Sequence, residues 1–349
     1  MQIIIFIIVI LHFIFTIIMN TKIYHSLFWT LAIFLLGSCS QSPQTSLLPT
    51  ITGKPGEVVM IVDDNVWKSS VGDSLKAIFT LDYPSLPQEE PIFTATHIPH
   101  IAFSNIFKTH RNLLFVNIKQ KLPVDSAKIL IKQDIWANDQ LIIDCQAPNT
   151  QTAANLIGKN KEKIISLINI KERHRIQKAY DHNKNKGLAK LIKNKFHINI
   201  TIPVSYNLNK DTTNFIWISR ETVNISQGIF IYSYPYNDTS NFSLQHIVEQ
   251  RNNFLKRYIP GAVPNSWMTT EERLGLQLVR FRQAEKYYSE IRGLWRVEND
   301  FMGGPFISLT TTSTDGKQLI TIEGYVYAPK HRKREYLRQM EAIVYSIMN

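Results

Sequence analysis

The segment at residues 306–329, FISLTTTSTDGKQLITIEGYVYAP, contains two runs of apolar and β-branched residues that are joined by Asp315-Gly316. An Asp-Gly pair between two such runs favours the tight turn of a β-hairpin. The segment therefore predicts an antiparallel sheet in the C-terminal part of the chain, and the fold has to contain that sheet.

Strand and helix patterns alternate along the rest of the chain. Short apolar runs predict buried strands at 57–62, 112–118, 197–206, 214–221 and 228–234. Apolar residues at helical spacing predict helices from Asp64 to Phe79 and at 151–180, 187–196, 244–258 and 332–348. A strand that leads directly into a helix begins an α/β or α+β layer. We therefore predict an α+β fold with two subdomains of mainly antiparallel sheet, and one continuous sheet is the alternative.

These patterns also predict how the chain is divided. The predicted parts are a signal region at 1–38, a lipidated polar tether at 39–56, a first α+β subdomain at 57–158, a basic helical connector at 159–196 and a second α+β subdomain at 197–349. The tether is predicted to be extended because it is polar and contains two prolines.

Leu36-Gly37-Ser38-Cys39 ends an apolar run and resembles the lipobox of bacterial lipoproteins. Lipoprotein signal peptidase acts within the bilayer and needs small residues before a cysteine whose thiol is acylated. A second acylation, on the amine of Cys39, would make the attachment stable, because a single acyl chain binds a membrane only weakly. We expect an outer-membrane lipoprotein that faces the periplasm, since no acidic cluster follows Cys39. A plain secretory signal or a transmembrane helix is the alternative.

The extreme N-terminus does not fit a signal peptide. Residues 1–19 are apolar and long enough to span a bilayer, but they lack a positive n-region. Met19-Asn20-Thr21-Lys22 supplies one, so we predict that translation starts at Met19 and that residues 1–18 are not translated. A start at Met1 would instead produce a protein with two membrane spans.

Positive charge is concentrated in one segment of the chain. The formal net charge is +11, and Lys159 to Lys195 contains most of the excess. In an envelope protein we expect no nucleic acid as partner, but an envelope protein, anionic lipid or glycan could bind there. An amphipathic connector with solvated lysines is the alternative. Only two cysteines are present, which excludes a disulfide scaffold and a Cys-based zinc cluster, and Cys145 is predicted to be buried and inert.

Two groups of polar residues are candidate ligand-binding sites. Asp63 and Asp64 follow a predicted strand and precede the helix that contains Trp67, which is a favoured position for a ligand, a cation or a catalytic base. Capping of the helix N-terminus is the alternative for both acids. The second group lies in GLWRVENDFMGGPF at 293–306 and consists of Arg296, Glu298, Asn299, Asp300, Gly303 and Gly304. This group forms either a ligand-binding loop or a corner in which the glycines turn the chain through positive φ.

Known catalytic and cofactor motifs are not found in the sequence. It contains no Gly-x-Ser-x-Gly, His-Glu-x-x-His, phosphate-loop or dinucleotide motif, and a zinc site at His97 and His100 lacks a third ligand. We therefore predict no cofactor and no metal. The favoured function is a non-enzymatic binding or assembly component of the envelope, and the alternative is an envelope hydrolase with a carboxylate-based site.

Several segments together resemble a known family. They are VVMIVDDNVWKSSVGDSL (58–75), KERHR (171–175), NFIWISRET (214–222), GLWRVENDFMGGPF (293–306) and EGYVYAPKHRKREYLRQMEAIVY (323–345). In this order they resemble the Bacteroidota lipoprotein family known as DUF 4837, over about residues 57–347. The resemblance implies a lipidated envelope protein, in agreement with Cys39, and it implies no catalytic residues.

Overall fold

Two sheets and the helices between them form the body of the protein. The computed structural model describes residues 48–348. The predictions for Cys39, for the start at Met19 and for the signal region lie outside the described residues, as does the tether up to residue 47. Residues from Pro49 onwards form one compact unit. Within the described residues, none of the helices combines the length and the apolar character that crossing a bilayer requires.

The first sheet has five strands in the order β2-β1-β3-β5-β4. They are β1 (Glu57–Ile61), β2 (Thr94–Ile98), β3 (Asn112–Ile118), β4 (Lys128–Gln133) and β5 (Leu141–Ala147). β1 is parallel to both β2 and β3, and β3 is parallel to β5, whereas β4 forms an antiparallel edge. The parallel pairs arise because the segments after β1 and β2 cross back over the sheet before the next strand begins.

The second sheet has eight strands and is antiparallel throughout. They are β6 (Asn207–Thr212), β7 (Phe215–Glu221), β8 (Ser226–Pro235), β9 (Trp267–Glu271), β10 (Gln277–Gln283), β11 (Lys286–Glu298), β12 (Gly303–Thr312) and β13 (Gln318–Tyr327). The order is β10-β11-β12-β13-β8-β7-β6, and β9 pairs with the end of β11. β12 and β13 form the hairpin that Asp315-Gly316 predicts, with Gly316 at a φ of 68°.

The predicted α+β class with two sheets is confirmed. Among the described strands, eight of the eleven named pairings are antiparallel, as the prediction of mainly antiparallel sheet requires. The three parallel pairings, which the prediction did not include, all lie in the first sheet. Their carboxyl ends meet at one edge, and this matters for the site described below.

Helices cover both sheets. They are α1 (Asp64–Trp67), α2 (Ser70–Phe79), α3 (Asn105–Lys108), α4 (Thr150–Lys159), α5 (Lys161–His182), α6 (Lys186–Phe196), α7 (Leu244–Tyr258) and α8 (Arg334–Val344). Most helices pack between the two sheets, while α7 lies outside the second sheet and the short α3 lies over the outer face of the first. α5 contacts β5 of the first sheet and also α8, which in turn contacts β12 and β13 of the second sheet. α5 and α8 therefore connect the two sheets.

Alternation along the strands divides the apolar residues between separate clusters. The largest cluster contains Val58 of β1 and Ile229 of β8, together with Met340 of α8, so the two sheets share a core. The neighbouring residues Val59 and Phe230 point to the opposite faces and belong to two smaller clusters. Each isoleucine or valine fully buried in this way contributes about 1.5–3 kcal/mol.

Three elements differ from the prediction. Residues 197–206 form no named strand, although Ile200 and Ile202 are buried, and β6 begins only at Asn207. Pro203 cannot donate to a sheet, and Thr201 N–H donates to the Ser346 hydroxyl instead of a neighbouring strand. The predicted helix at 151–180 is divided into α4 and α5 at Asn160, and β9 was not predicted.

Candidate functional site

The carboxyl ends of the parallel strands carry a network of polar side chains. The chain passes from β1 to β2 on one side and then to β3 on the other, so the strand order reverses between β1 and β3. In open α/β sheets, ligands bind at such a reversal, outside the carboxyl ends of the strands. The predicted residue Asp63 lies there, directly after β1 and Val62.

Asp63 is linked through His100 to residues of the other strands. Asp63 Oδ1 accepts a hydrogen bond of 3.2 Å from the His100 backbone N–H and lies 3.0 Å from His100 Nδ1. His100 Nε2 lies 3.0 Å from Asn117 Oδ1, and Asn117 Nδ2 donates to Asp144 over 2.7 Å. Lys132 Nζ donates to the second oxygen of Asp144 over 2.9 Å. Side chains from five different segments are thus joined in one network.

The charge of Asp144 is compensated inside this network. Burial opposes ionisation of Asp144, but hydrogen bonds from Lys132, Gln146 and Asn117 outweigh burial and lower the pKa of Asp144 below its usual value. A carboxylate beside an imidazole can orient it for proton transfer. Here both ring nitrogens of His100 are already engaged, which leaves neither directed at a substrate. The network therefore fixes the geometry of the sheet edge.

The other two predicted residues of this group have separate environments. Asp64 is exposed in the first turn of α1, and Trp67 stacks on the His97 ring with a centroid distance of 4.3 Å. The capping alternative for the two acids is wrong, because Asp63 occupies the N-cap position of α1 but its side chain bonds to His100 instead of the helix. The side chains of Asp63, Asp64 and Trp67 therefore do not converge on one ligand.

The second predicted group lies where β11 passes into β12. Arg296 forms ion pairs with Glu298 at 2.7 Å and with Glu271 at 3.7 Å. Asn299 has a φ of 62° and its Nδ2 donates to the Asn265 carbonyl, while Asp300 Oδ1 accepts from its neighbour's backbone N–H. The polar residues of this segment thus form a corner in which Arg296 pairs with Glu298. Arg296, Asn299 and Asp300 also line a cavity of about 520 Å³, so both alternatives stay open.

The glycines of the corner have a different role from the predicted one. Gly303 and Gly304 lie in β12, and in the described part of the chain Asn299, not these glycines, has the positive φ at this corner. A Cβ at Gly304 would lie 2.0 Å from the carbonyl oxygen of Val326. Glycine is therefore needed at 304 for the close approach of two backbones, which also lets Trp295 Nε1 donate to Val326 over 3.2 Å.

A cleft of about 600 Å³ opens beside this corner, on the face of the second sheet that α7 covers. We call it the aromatic cleft, and its aromatic and methionine side chains are Trp217, Trp295, Tyr325, Tyr327, Met268 and Met302. The β7–β8 turn and the segment after α7 complete the wall. Glu221 and Lys330 are the charged side chains in the lining. An apolar cleft with few polar groups is the usual form of a small-molecule site.

Tyr325 forms the floor of the aromatic cleft. A Cβ at Gly228 would lie 2.0 Å from the Tyr325 ring, so glycine in β8 provides the space in which the ring lies. Burial raises the pKa of Tyr325 above its usual value, and its neutral hydroxyl accepts a hydrogen bond of 3.1 Å from Trp217 Nε1. Trp217 is thereby held in position at the wall of the cleft.

The cleft was not predicted from the sequence. Trp217 and Tyr325 lie in two of the segments that carry the family resemblance, and alternation within β7 and β13 places them on one face. That alternation can be read from the sequence. The pairing of β8 with both β7 and β13, which brings the two residues together, cannot.

The basic segment contributes a buried network to the body of the protein. The Glu172 side chain is 1% exposed and accepts from Arg111 at 2.6 Å and from Arg175 at 2.7 Å. Asn112 Nδ2 also donates to Glu172, over 2.7 Å. A buried carboxylate is tolerated only with such partners. Residues 171–175 therefore attach α5 to β3.

No group of three or more His, Cys, Asp or Glu side chains is arranged to hold a metal ion in residues 48–348. The two predicted carboxylate groups lie on different sheets, and none of the cavities found among residues 48–348 is lined by members of both groups. Asp63 belongs to the first sheet, and Glu298 belongs to the second.

Comparison with known proteins finds matches to two families in different parts of the chain. Residues 185–346 match the family described as domain of unknown function (DUF4837). The predicted resemblance to this family is thus confirmed over the C-terminal part of the chain, from residue 185 instead of residue 57. Residues 51–181 match a second family, domain of unknown function (DUF8532). The segments at 58–75 and 171–175, which the sequence suggested for DUF4837, thus lie in the second family's region.

Eight chains of solved structures are also similar to this chain. One is a crystal structure from Bacteroides thetaiotaomicron VPI-5482, with 11% sequence identity and a TM-score of 0.19. The similarity covers 42% of this chain and 43% of the other chain. The match thus spans less than half the length of the solved structure. None of the curated proteins matches the chain.

Proposed function

We propose that the protein is a lipid-anchored component of the bacterial cell envelope whose body binds an apolar group of another envelope molecule. The anchor is Cys39 at the end of the lipobox, and the location is the periplasmic face of the outer membrane. The lipobox sequence and the polar residues that follow it support the anchor.

The observation that carries the binding role is the aromatic cleft. Its wall is built from aromatic rings and methionines, which offer a polarisable surface to an aromatic or acyl group. Glu221 and Lys330 at its border suit the polar end of an amphipathic ligand. Each Å² of apolar area that such a ligand buries would contribute about 25 cal/mol of favourable binding free energy. A binding role of this kind needs no catalytic group.

The hydrolase alternative has less support. A glycosidase, for example, needs two carboxyl groups on either side of one bond. Asp63 contacts His100, whereas Glu298 pairs with Arg296 on the other sheet, so the candidate pairs do not form a common site. We therefore retain the binding role as the proposed function.

The basic segment supports a second contact with an anionic envelope partner. Lys171, Arg173 and Arg175 have partners within the protein, but Lys163 and Lys190 are exposed. Exposed lysines on α5 and α6 suit an acidic protein, an anionic lipid headgroup or a glycan.

The anchor is tested by the variant Cys39→Ala in the native host. We expect unprocessed precursor or a soluble form, because the acylated side chain is lost. Cys145→Ala is the matched control, since Cys145 is the other cysteine of the sequence, and it should leave membrane partitioning unchanged. Equal partitioning and unchanged mass of the Cys39 variant would refute the anchor.

The cleft is tested by titration with the apolar fluorescent probe 1-anilinonaphthalene-8-sulfonate. Val223 lines the cleft and is 99% exposed, so Val223→Asp should keep the fold but weaken probe binding about tenfold. Leu274→Asp introduces the same charge at an exposed position outside the cleft lining. Equal affinities of the two variants would show that the cleft is not the binding site.

A further inference from the structure

One face of the first sheet has only a thin cover. Val59, Ile61, Leu113 and Ile142 are buried on this face, and the side chains that cover them belong to short segments. We call the covering surface the aromatic face, and it consists of Ile98, Phe103, Phe107, Phe115 and Trp136. None of these residues is fully buried, whereas the opposite face of the sheet lies against helices of the main core.

Two isoleucines project from the segment that crosses this face. Ile101 is 97% exposed and Ile106, in α3, is 76% exposed. Phe103 lies between them in sequence and packs on Phe115 and Trp136, with centroid distances of 5.1 and 5.7 Å. The aromatic rings therefore support an apolar surface that continues outwards through the two isoleucines. Exposed apolar surface of this kind marks contact with a membrane or another protein.

The N-terminal part of the chain reaches the body next to this face. Pro49 carbonyl accepts from the backbone N–H of Asn138, two residues after Trp136, and Thr52 N–H donates to Thr109, one residue after α3. The nine residues between Cys39 and the start of this attachment span at most about 30 Å when fully extended. An acyl group on Cys39 would thus keep Pro49, which is attached next to the aromatic face, within about 30 Å of the bilayer.

We propose that the aromatic face, with Ile101 and Ile106, is the surface on which the body rests on the lipid bilayer. This proposal rests on the lipid anchor of the proposed function and gives that anchor a second contact. Aromatic and isoleucine side chains are favoured at the boundary between headgroups and acyl chains. Lys108 at the end of α3 adds a cation that can meet anionic headgroups. A docked body would present its binding surfaces in a fixed orientation.

The test uses the full-length lipidated protein in vesicles of phosphatidylethanolamine and phosphatidylglycerol. Ile106→Cys is labelled with an environment-sensitive maleimide dye. Cys145 does not compete for the label, because burial raises the pKa of its thiol to about 12. Leu274→Cys is the matched control, since Leu274 is 70% exposed and belongs to the second sheet's side of the body.

We expect a blue shift of the dye at position 106 on vesicle binding and none at position 274. Sedimentation with the vesicles measures the anchor in the same sample. Protein that sediments without any shift at 106 refutes docking and leaves the anchor intact. A shift at 106 in the absence of vesicles, together with a dimer in size-exclusion chromatography, would mean that a second copy covers the face and would also refute docking.

A second arm separates docking from anchoring. The full-length Cys39→Ala protein is mixed with excess vesicles, so that binding depends on the body alone. Ile101→Asp should reduce its vesicle partitioning about tenfold, because the transfer of one isoleucine from water is lost. Leu274→Asp should not change partitioning. Equal partitioning of the Ile101→Asp and Leu274→Asp variants would refute the docking surface. This result would not depend on the anchor, because both variants lack it.

Discussion

Glu341 on α8 contacts α5, β11 and the loop after α2, so its substitution should lower the free energy of unfolding. Its Oε1 accepts from Arg173 of α5 at 2.6 Å, and its Oε2 accepts from Arg292 of β11 at 3.0 Å. The Tyr83 hydroxyl, in the loop after α2, donates to Oε2 over 2.7 Å. The Glu341 side chain is only 10% exposed. The substitution Glu341→Gln keeps its size but places an amide among guanidinium donors.

The magnitude follows from the burial of this ion network. Removing one partner of a buried ion pair costs about 3–5 kcal/mol, because the remaining charges lose their compensation in a region of low polarity. Arg292 keeps Glu290 as a partner at 2.6 Å, whereas the contact that Arg173 keeps with the Tyr345 ring supplies no negative charge. We therefore expect Glu341→Gln to lower the free energy of unfolding by about 3 kcal/mol or more.

The same network predicts a dependence on pH. Burial opposes ionisation of Glu341, but Arg292, Arg173 and the hydrogen bond from Tyr83 outweigh it and hold its pKa well below the usual 4.5. A carboxylate with a lowered pKa stabilises the fold above its unfolded-state pKa, and this stability is lost as the pH falls towards the folded-state pKa. The native protein should therefore lose stability below about pH 5 more steeply than Glu341→Gln.

Urea unfolding, followed by tryptophan fluorescence and circular dichroism from pH 7 to pH 3, measures both effects. Asp73→Asn is the control, because Asp73 pairs with Lys76 at the surface, where side-chain exposures are 79% and 54%. That variant should change the unfolding free energy by about 0–1 kcal/mol. If Glu341→Gln costs less than about 1 kcal/mol, or if its pH profile matches the native one, the buried network does not stabilise the fold as argued.

Three further predictions concern single residues. Gly304→Ala should destabilise the protein by about 2 kcal/mol or more in the same urea assay, because its Cβ would meet the Val326 carbonyl. Gly158→Ala in α4 is the control. Its Cβ meets no atom within 4 Å, so it should stabilise the protein by about 0.5–1 kcal/mol. Glu90→Ala should lower the thermal midpoint at a cost of about 1–2 kcal/mol, because the Glu90 carboxylate accepts from the first backbone N–H groups at the start of α8. Cys145 should not react with Ellman's reagent at pH 8 until denaturant is added, and fast reaction of the native protein would contradict its burial.

Much of the secondary structure could be predicted, because local periodicity reports which face of an element is buried. The hairpin at Asp315-Gly316 and the strand at Glu57 were predicted for this reason. The segment around Ile200 misled the prediction, since its alternating isoleucines are buried but the segment forms an isolated bridge at Pro203 and Lys184 instead of a strand ladder. A buried strand usually has a complete hydrogen-bond ladder. Pro203 has no N–H to donate, so it interrupts such a ladder in this buried segment.

The candidate site was predictable only in part. The corner from Arg296 to Asp300 was found, because its polar residues and turn-forming asparagine are adjacent in sequence. The link from Asp63 to Asp144 was not found, since it passes through side chains on separate parallel strands. The aromatic cleft depends in the same way on the register of β7, β8 and β13.

By itself, the sequence determined the class of fold, the position of most strands and helices, and the lipobox pattern on which the proposed anchor depends. These properties are local, because they arise from residues within one or two turns of each other. Tertiary structure alone decided which polar groups meet, as Tyr83 and Glu341 do across 258 residues. A buried charge is stable only beside its partner, and that partner is chosen by the packing of whole elements rather than by neighbouring residues in the chain.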